Sequence, residues 1–219
     1  MKTKLASIWS LHQAEHGRSF LYAVIVGVTA GLAAIAFHTL VDFVQYVALE
    51  SIAGYRPAQP AGEHSIFPVG HNPLDIGRLL LVITGGGLIT GLLIYRFAPE
   101  TKGQGTDGAI DAFHNHRGII PLRIPILKGI TAAVTLGTGG SAGREGPIAQ
   151  IGAGVGSYLA TRMRLSARDR RLLLAMGMGA GIGAMFRAPM AGTIFAGEIM
   201  YRDPDIEAGV IVPGAIAST

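Results

Sequence analysis

Cysteine is absent from the 219 residues, which excludes disulfides and thiolate metal sites and leaves the redox compartment unreadable. Charge is scarce too. Asp, Glu, Lys and Arg together make up 15% of the chain, where a soluble domain carries about 25%. No phosphate-binding Walker sequence is present, which argues against ATP-driven pumping. What fills the chain instead is 49% hydrophobic residues and 32 glycines, with a mean hydropathy of +0.43. That is the composition of an integral membrane protein, in which small residues let helices approach closely. The net charge of +4 is explained by membrane topology and is no sign of nucleic-acid binding.

Met1–Arg18 mixes Lys2, Lys4, Glu15 and Arg18 with Leu5, Ile8, Trp9 and Leu11. It reads as an interfacial amphipathic helix over 1–18, not a cleavable signal peptide, ahead of a membrane domain over 19–219. Ser19–Val47 is long enough to cross a bilayer, and Leu79–Tyr95 is a second span. Between them Gly54–Arg78, with Pro57, Pro60, Pro68 and Pro73, predicts a loop. Ala98–Arg123 is polar, with a short helix from about Asp107. Pro125–Leu136, Pro147–Ala160, Leu172–Met185 and Ala188–Met200 follow, and Ile206–Thr219 stops as though cut within a helix. Several of these stretches are shorter than the ~20 residues a crossing needs. Interrupted helices of this kind point to a buried site near the bilayer midplane. Gly152-x-x-x-Gly156 and Gly177-x-x-x-Gly181 predict close helix contacts, although a glycine-rich chain produces such spacings by chance.

Positive charge predicts orientation. Lys2, Lys4 and Arg18, then Arg96, Lys102, Arg117 and Arg123, then Arg162, Arg164, Arg168, Arg170 and Arg171 mark cytoplasmic stretches; the Gly54–Arg78 loop, with Arg56 and Arg78, is outside. The N-terminus is therefore expected in the cytoplasm of a multi-pass protein of the cell membrane.

Between Lys128 and Arg162 the only charges are the adjacent Arg144 and Glu145. An ionisable residue at a bilayer centre costs about 2.5–3.5 kcal/mol on insertion scales, so such a pair has a functional reading by default. Gly143 and Gly146 flank it, and Pro147 pre-sets the first turn of an apolar helix with Glu145 at its tip. The free N–H groups and dipole of that turn attract anions. Glu145 would occupy the place a free anion wants, blocking it when ionised and vacating it when protonated or displaced. The plain alternative is a capping glutamate paired with Arg144. Lys102-Gly103-Gln104-Gly105-Thr106-Asp107 is a second, weaker glycine-bracketed turn before a helix.

Taken in order, these strings resemble the CLC family of chloride channels and chloride/proton exchangers. Gly143-Arg144-Glu145-Gly146-Pro147 matches its G-[KR]-E-G-P motif. Gly103-Gln104-Gly105-Thr106-Asp107 stands where the family has G-S-G-I-P, and Phe186-Arg187-Ala188-Pro189-Met190-Ala191-Gly192 resembles F-N-A-P-[LM]-A-G. The resemblance covers the chain from about residue 19. It implies an all-α polytopic fold of short, broken and tilted helices, the first half of an inverted repeat. It also implies a homodimer with one pore per subunit, whose interface draws on Ala188–Met200 and Ile206–Thr219. Glu145 would be the gating, proton-coupling residue. Gly103, Gln104, Gly105, Thr106, Gly143, Arg144 and Gly146 would line the chloride path, with neither cofactor nor metal. Chloride, protons and the bilayer would be its partners.

Departures stand beside the likeness. Gln104 replaces the motif's serine, and Asp107 replaces its proline. Ile199 occupies the place of an internal proton-transferring glutamate, with Glu198 beside it. The family's second half, including its G-x-F-x-P motif and a chloride-contacting tyrosine, has no counterpart, so the chain alone is expected to be an incomplete pore or a non-conducting fragment. An enzyme reading competes: Gly139-Gly140-Ser141-Ala142-Gly143 fits G-x-S-x-G, so an intramembrane serine hydrolase would use Ser141, with His38 as base. That elbow needs a preceding strand, which the apolar flanks do not predict. Asp111-x-x-His114-x-His116 could ligate a metal but reads more simply as a solvated helix face.

Overall fold

The computed structural model describes residues 2–58, 67, 72–97, 99–101, 103 and 105–200, with the backbone alone from 2 to 19. Gln104, Lys102, most of the proline-rich loop and Ile206–Thr219 lie outside the described residues, as do the expectations that rest on them.

Helices α1 (Lys2–Gln45), α2 (Ile76–Phe97), α3 (Thr106–His114), α4 (Arg123–Gly137), α5 (Glu145–Arg162), α6 (Ala167–Phe186) and α7 (Pro189–Met200) follow one another, and no strand occurs among the described residues. The separate helix expected over 1–18 merges into α1, because no breaker stronger than Gly17 stands between Glu15 and Phe20. α1 runs on through a π-helical stretch, Tyr46–Ile52. Two helical segments are long and apolar enough to cross a membrane: Phe20–Ile52, of 33 residues, and Ile76–Phe97, of 22. α2 exposes Leu80, Leu81, Leu88, Ile89 and Leu92 and buries only Gly86.

The interior is built by backbones that nearly touch. Gly152 and Gly156 of α5 face Gly177 and Gly181 of α6: a Cβ at Gly156 would collide with the Leu173 carbonyl, and one at Gly181 would lie 3.1 Å from the Ile148 carbonyl. Both predicted glycine spacings therefore mark a true contact. α7 approaches α6 the same way, since a Cβ on Gly192 would lie 2.5 Å from the Gly179 carbonyl. α1 closes this unit through Ala23, Val26 and Ala30 against Leu173, Met176 and Ala180. A second apolar cluster joins Phe37 and Val41 of α1 to Ile148, Leu174 and Met178.

α6 starts at Ala167, earlier than its apolar run suggests, because the Ser166 hydroxyl accepts the Asp169 N–H at 3.2 Å. This draws Arg170 and Arg171 into its first turns, where they brace the α3–α4 connection: Arg170 Nη1 donates to the Arg117 carbonyl and Arg171 lies over Phe113. α6 ends at Arg187, whose left-handed φ of 53° turns the chain into α7.

Candidate functional site

α4 ends at Gly137, and the chain reverses through Thr138–Arg144 before α5 begins at Glu145. Neither α5 nor α3 carries a side-chain cap at its start. The first intrahelical bonds are Ile148 N–H to the Arg144 carbonyl and Ala109 N–H to the Gly105 carbonyl. Pro147 has no N–H, so Glu145 and Gly146 offer the free amides of α5, and Thr106, Asp107 and Gly108 those of α3.

The two helix starts meet. Gly105 has φ 102°, and a Cβ there would lie 2.8 Å from the Gly146 carbonyl, so neither the conformation nor the space suits another residue. Beside this junction opens a cavity of about 610 Å³. Its wall includes Gly103 and Thr106 from the α3 side, Ser141, Gly143, Glu145, Gly146 and Pro147 from the α5 side, and Thr90, Thr131 and Thr135 of α2 and α4. Glu145 curls back over its own turn, for a Cβ on Gly143 would collide with Glu145 Oε2. Among the described residues its carboxylate forms no ion pair, with Arg144 or any other group. The site is a hollow of mixed apolar and polar lining, faced by two uncapped helix starts and one carboxylate, an arrangement suited to a small anion.

Residues 86–219 match the family model described as voltage-gated chloride channel. The chain belongs to that family. It is 34% identical over 206 residues to the H(+)/Cl(-) exchange transporter ClcA of Yersinia pestis bv. Antiqua (strain Angola), covering 91% of this chain and 40% of ClcA. It is 33% identical over 192 residues to the chloride channel protein CLC-e of Arabidopsis thaliana, covering 87% of this chain and 25% of that one. A slow cyanobacterial Cl−/H+ antiporter superposes with a TM-score of 0.69 at 27% identity, over 92% of this chain and 45% of that one. A CLC-type fluoride/proton antiporter shares the fold, with a TM-score of 0.71 at 22% identity over 93% and 45%. The chain spans about two fifths of the length of the ClcA relatives it matches. The all-α CLC fold read from the motifs is thereby shown.

Of the residues expected along a CLC path, Gly103, Thr106, Gly143, Glu145 and Gly146 stand on the cavity wall, whereas Gly105 and Arg144 do not. Gly105 is buried under α5. Arg144 points its guanidinium toward His38 of α1, with Nη1 3.4 Å from Nδ1. Asp107 is exposed and off the wall, as is Glu198. Ser141 lies on the wall, but a helix and a turn precede it where a hydrolase elbow needs a strand. Asp111 accepts from Asn115 and pairs with His116, and no cluster of three metal-ligating residues occurs among the described residues.

Two buried groups escaped the sequence reading, of which only Lys128 lies on the wall. Lys128, 7% exposed, lines the cavity, and its Nζ donates to the carbonyls of Thr101 at 3.1 Å and Gly103 at 2.6 Å. It anchors the loop that leads into α3. A lone amine in the apolar run Pro125–Leu136 was the signal. Gln150, 3% exposed, presses its amide on α3, with Nε2 2.8 Å from where a Cβ on Gly108 would sit.

Proposed function

We propose that the chain supplies the N-terminal part of a transmembrane pathway for chloride or a similar small anion, with Glu145 as its gate. In this reading the ionised carboxylate holds the position at the tip of α5 that the anion would occupy, and a proton or a rising anion concentration dislodges it. Carrying the reading is the convergence of Glu145 and two uncapped helix starts on one cavity of about 610 Å³. Membership of a family whose relatives are named chloride channels and H(+)/Cl(-) exchange transporters supports it. The protein would be multi-pass with a cytoplasmic N-terminus and would work as a homodimer in the bilayer, either as a channel or as a proton-coupled exchanger.

The test is anion flux from liposomes containing the protein expressed from its native gene. Glu145→Gln is expected to keep flux while flattening its pH dependence, because a neutral amide neither titrates nor repels the anion. A variant with the pH profile of the unmodified protein would remove Glu145 from the gate. Loss of all function in Ser141→Ala, with labelling by a serine-reactive phosphonate, would instead favour hydrolysis.

A further inference from the structure

The net charge of the chain is gathered in one place. Residues 111–118 and 161–171 hold six arginines and two aspartates, a net charge of +4, which equals that of the whole chain. The fold brings the two stretches together. One guanidinium spans them: Arg170 Nη1 donates to the Arg117 carbonyl and Nη2 to the Leu165 carbonyl, each at 3.3 Å. Gly118 lies against the same first turns of α6, since a Cβ there would be 3.1 Å from the Arg171 backbone nitrogen. Arg171 is engaged as well, lying over Phe113 with Nη2 3.5 Å from the His114 carbonyl.

Arg170 and Arg171 are therefore struts, and they fix the backbone that carries the other four arginines. Arg117 on the α3–α4 turn, Arg162 at the end of α5, Arg164 on the α5–α6 turn and Arg168 in the first turn of α6 are all exposed. Among the described residues their guanidiniums take part in no hydrogen bond or ion pair. The two acids are engaged elsewhere: Asp169 accepts from the Ser166 hydroxyl at 2.7 Å, and Asp111 accepts from Asn115 and pairs with His116. Four guanidiniums held on adjoining turns repel one another, a cost that a bound anion removes. Apolar side chains stand beside them in sequence: Ile119 is 46% exposed, Leu122 40% and Met163 39%.

We infer that this end of the molecule, where α3 and α5 finish and α6 starts, binds the headgroups of anionic phospholipids. A guanidinium offers a lipid phosphate two parallel N–H bonds, which a point charge does not. The exposed apolar side chains meet the start of the acyl chains, and a soluble phosphate compound would leave them wet. Basic clusters at helix ends on one face of a membrane protein take anionic headgroups by this combination of charge and hydrogen bonding. The inference rests on the placement of the chain in a membrane and is independent of Glu145 being the gate.

The test titrates the protein expressed from its native gene, in detergent, with short-chain phosphatidylglycerol and, in parallel, with phosphatidylcholine of the same chains. Native mass spectrometry counts the bound lipid. Phosphatidylglycerol is expected to stay bound where phosphatidylcholine comes off. Each basic side chain facing an anionic lipid is worth about fivefold in affinity, so Arg164→Asn combined with Arg168→Gln should weaken phosphatidylglycerol binding by about 25-fold. Asn suits position 164 because the backbone there is left-handed, with φ 54°. A second pair, Arg117→Asn with Arg162→Gln, should weaken it equally. Arg56→Gln, on the proline-rich loop, should bind as the unmodified protein does. A melting curve without lipid shows which variants fold, and either pair alone suffices. Equal binding of the two lipids, or a loss below about threefold in a folded pair, overturns the inference. So does an Arg56→Gln loss as large as that of the pairs, which would mean general adsorption. Displacement of the lipid by inorganic phosphate at the same concentration would make a soluble anion the occupant and overturn it too.

Discussion

Lys128 offers the sharpest quantitative test of the cavity. A hollow of about 610 Å³ corresponds to a sphere of about 5 Å radius, so an anion at its centre lies within about 7 Å of an amine on the wall. At an effective dielectric of ~20 a unit charge pair at that separation is worth about 2.4 kcal/mol, and about 1.2 kcal/mol if water doubles the screening. Lys128→Met keeps the length of the side chain and removes its charge. Anion affinity should therefore fall by about 7- to 50-fold. Stability should fall as well, because the substitution removes the donor to the Thr101 and Gly103 carbonyls. Each such charge-assisted bond is worth about 1.5–3 kcal/mol, a loss partly offset because an amine is no longer buried. Calorimetric chloride titration of the purified protein, beside a melting curve, separates the two effects. A Met variant that binds chloride within about twofold of the unmodified protein would refute the reasoning, since no anion could then be sitting within reach of that amine.

Other perturbations test the scaffold. Gly156→Leu drives a side chain into the Leu173 carbonyl, a backbone atom that cannot step aside; overpacking of this kind costs at least about 1–3 kcal/mol, and folded yield in detergent should collapse. Ser157, fully buried, accepts the Ile120 N–H at 2.8 Å and donates to the Gly118 carbonyl at 2.6 Å. Ser157→Ala orphans both groups and should cost about 1–3 kcal/mol, read as a lowered melting temperature. Arg187→Gly removes the strain of a left-handed conformation at the end of α6 and should stabilise by about 1 kcal/mol, raising that temperature.

Much of the architecture is legible before any coordinates, because the physics behind it is local. Apolar runs with few charges make helices, and the helix boundaries around Leu79–Tyr95, Asp107 and Pro189 are read to within a few residues. The glycine spacings at Gly152 and Gly177 point to the right interface. Where the reading slips, a local signal was outweighed or overlooked. The charges of Lys2–Arg18 suggested a separate element, yet nothing in that stretch terminates a helix. Ser166 with Asp169 three residues on is a capping pattern that moves the start of α6 back to Ala167. Long-range facts stay hidden for a different reason. His38 and Arg144 are 106 residues apart, and no periodicity links them. Lys128 is an isolated amine until the carbonyls of Thr101 and Gly103 close around it.

The glycine rails of α5, α6 and α7 leave these three rods without slack. Main chain abuts main chain at Gly152, Gly156, Gly179 and Gly192, so a rod cannot slide or roll without atoms overlapping. If Glu145 is the gate proposed above, the motion at the α5 end of the hollow is therefore small: the swing of one carboxylate, or the give of the seven-residue bend before it. Such strokes belong to the picosecond-to-microsecond range, whereas rigid-body shifts of helices take microseconds to milliseconds. Under that reading, a stiff frame with a light latch would work at the speed of the latch.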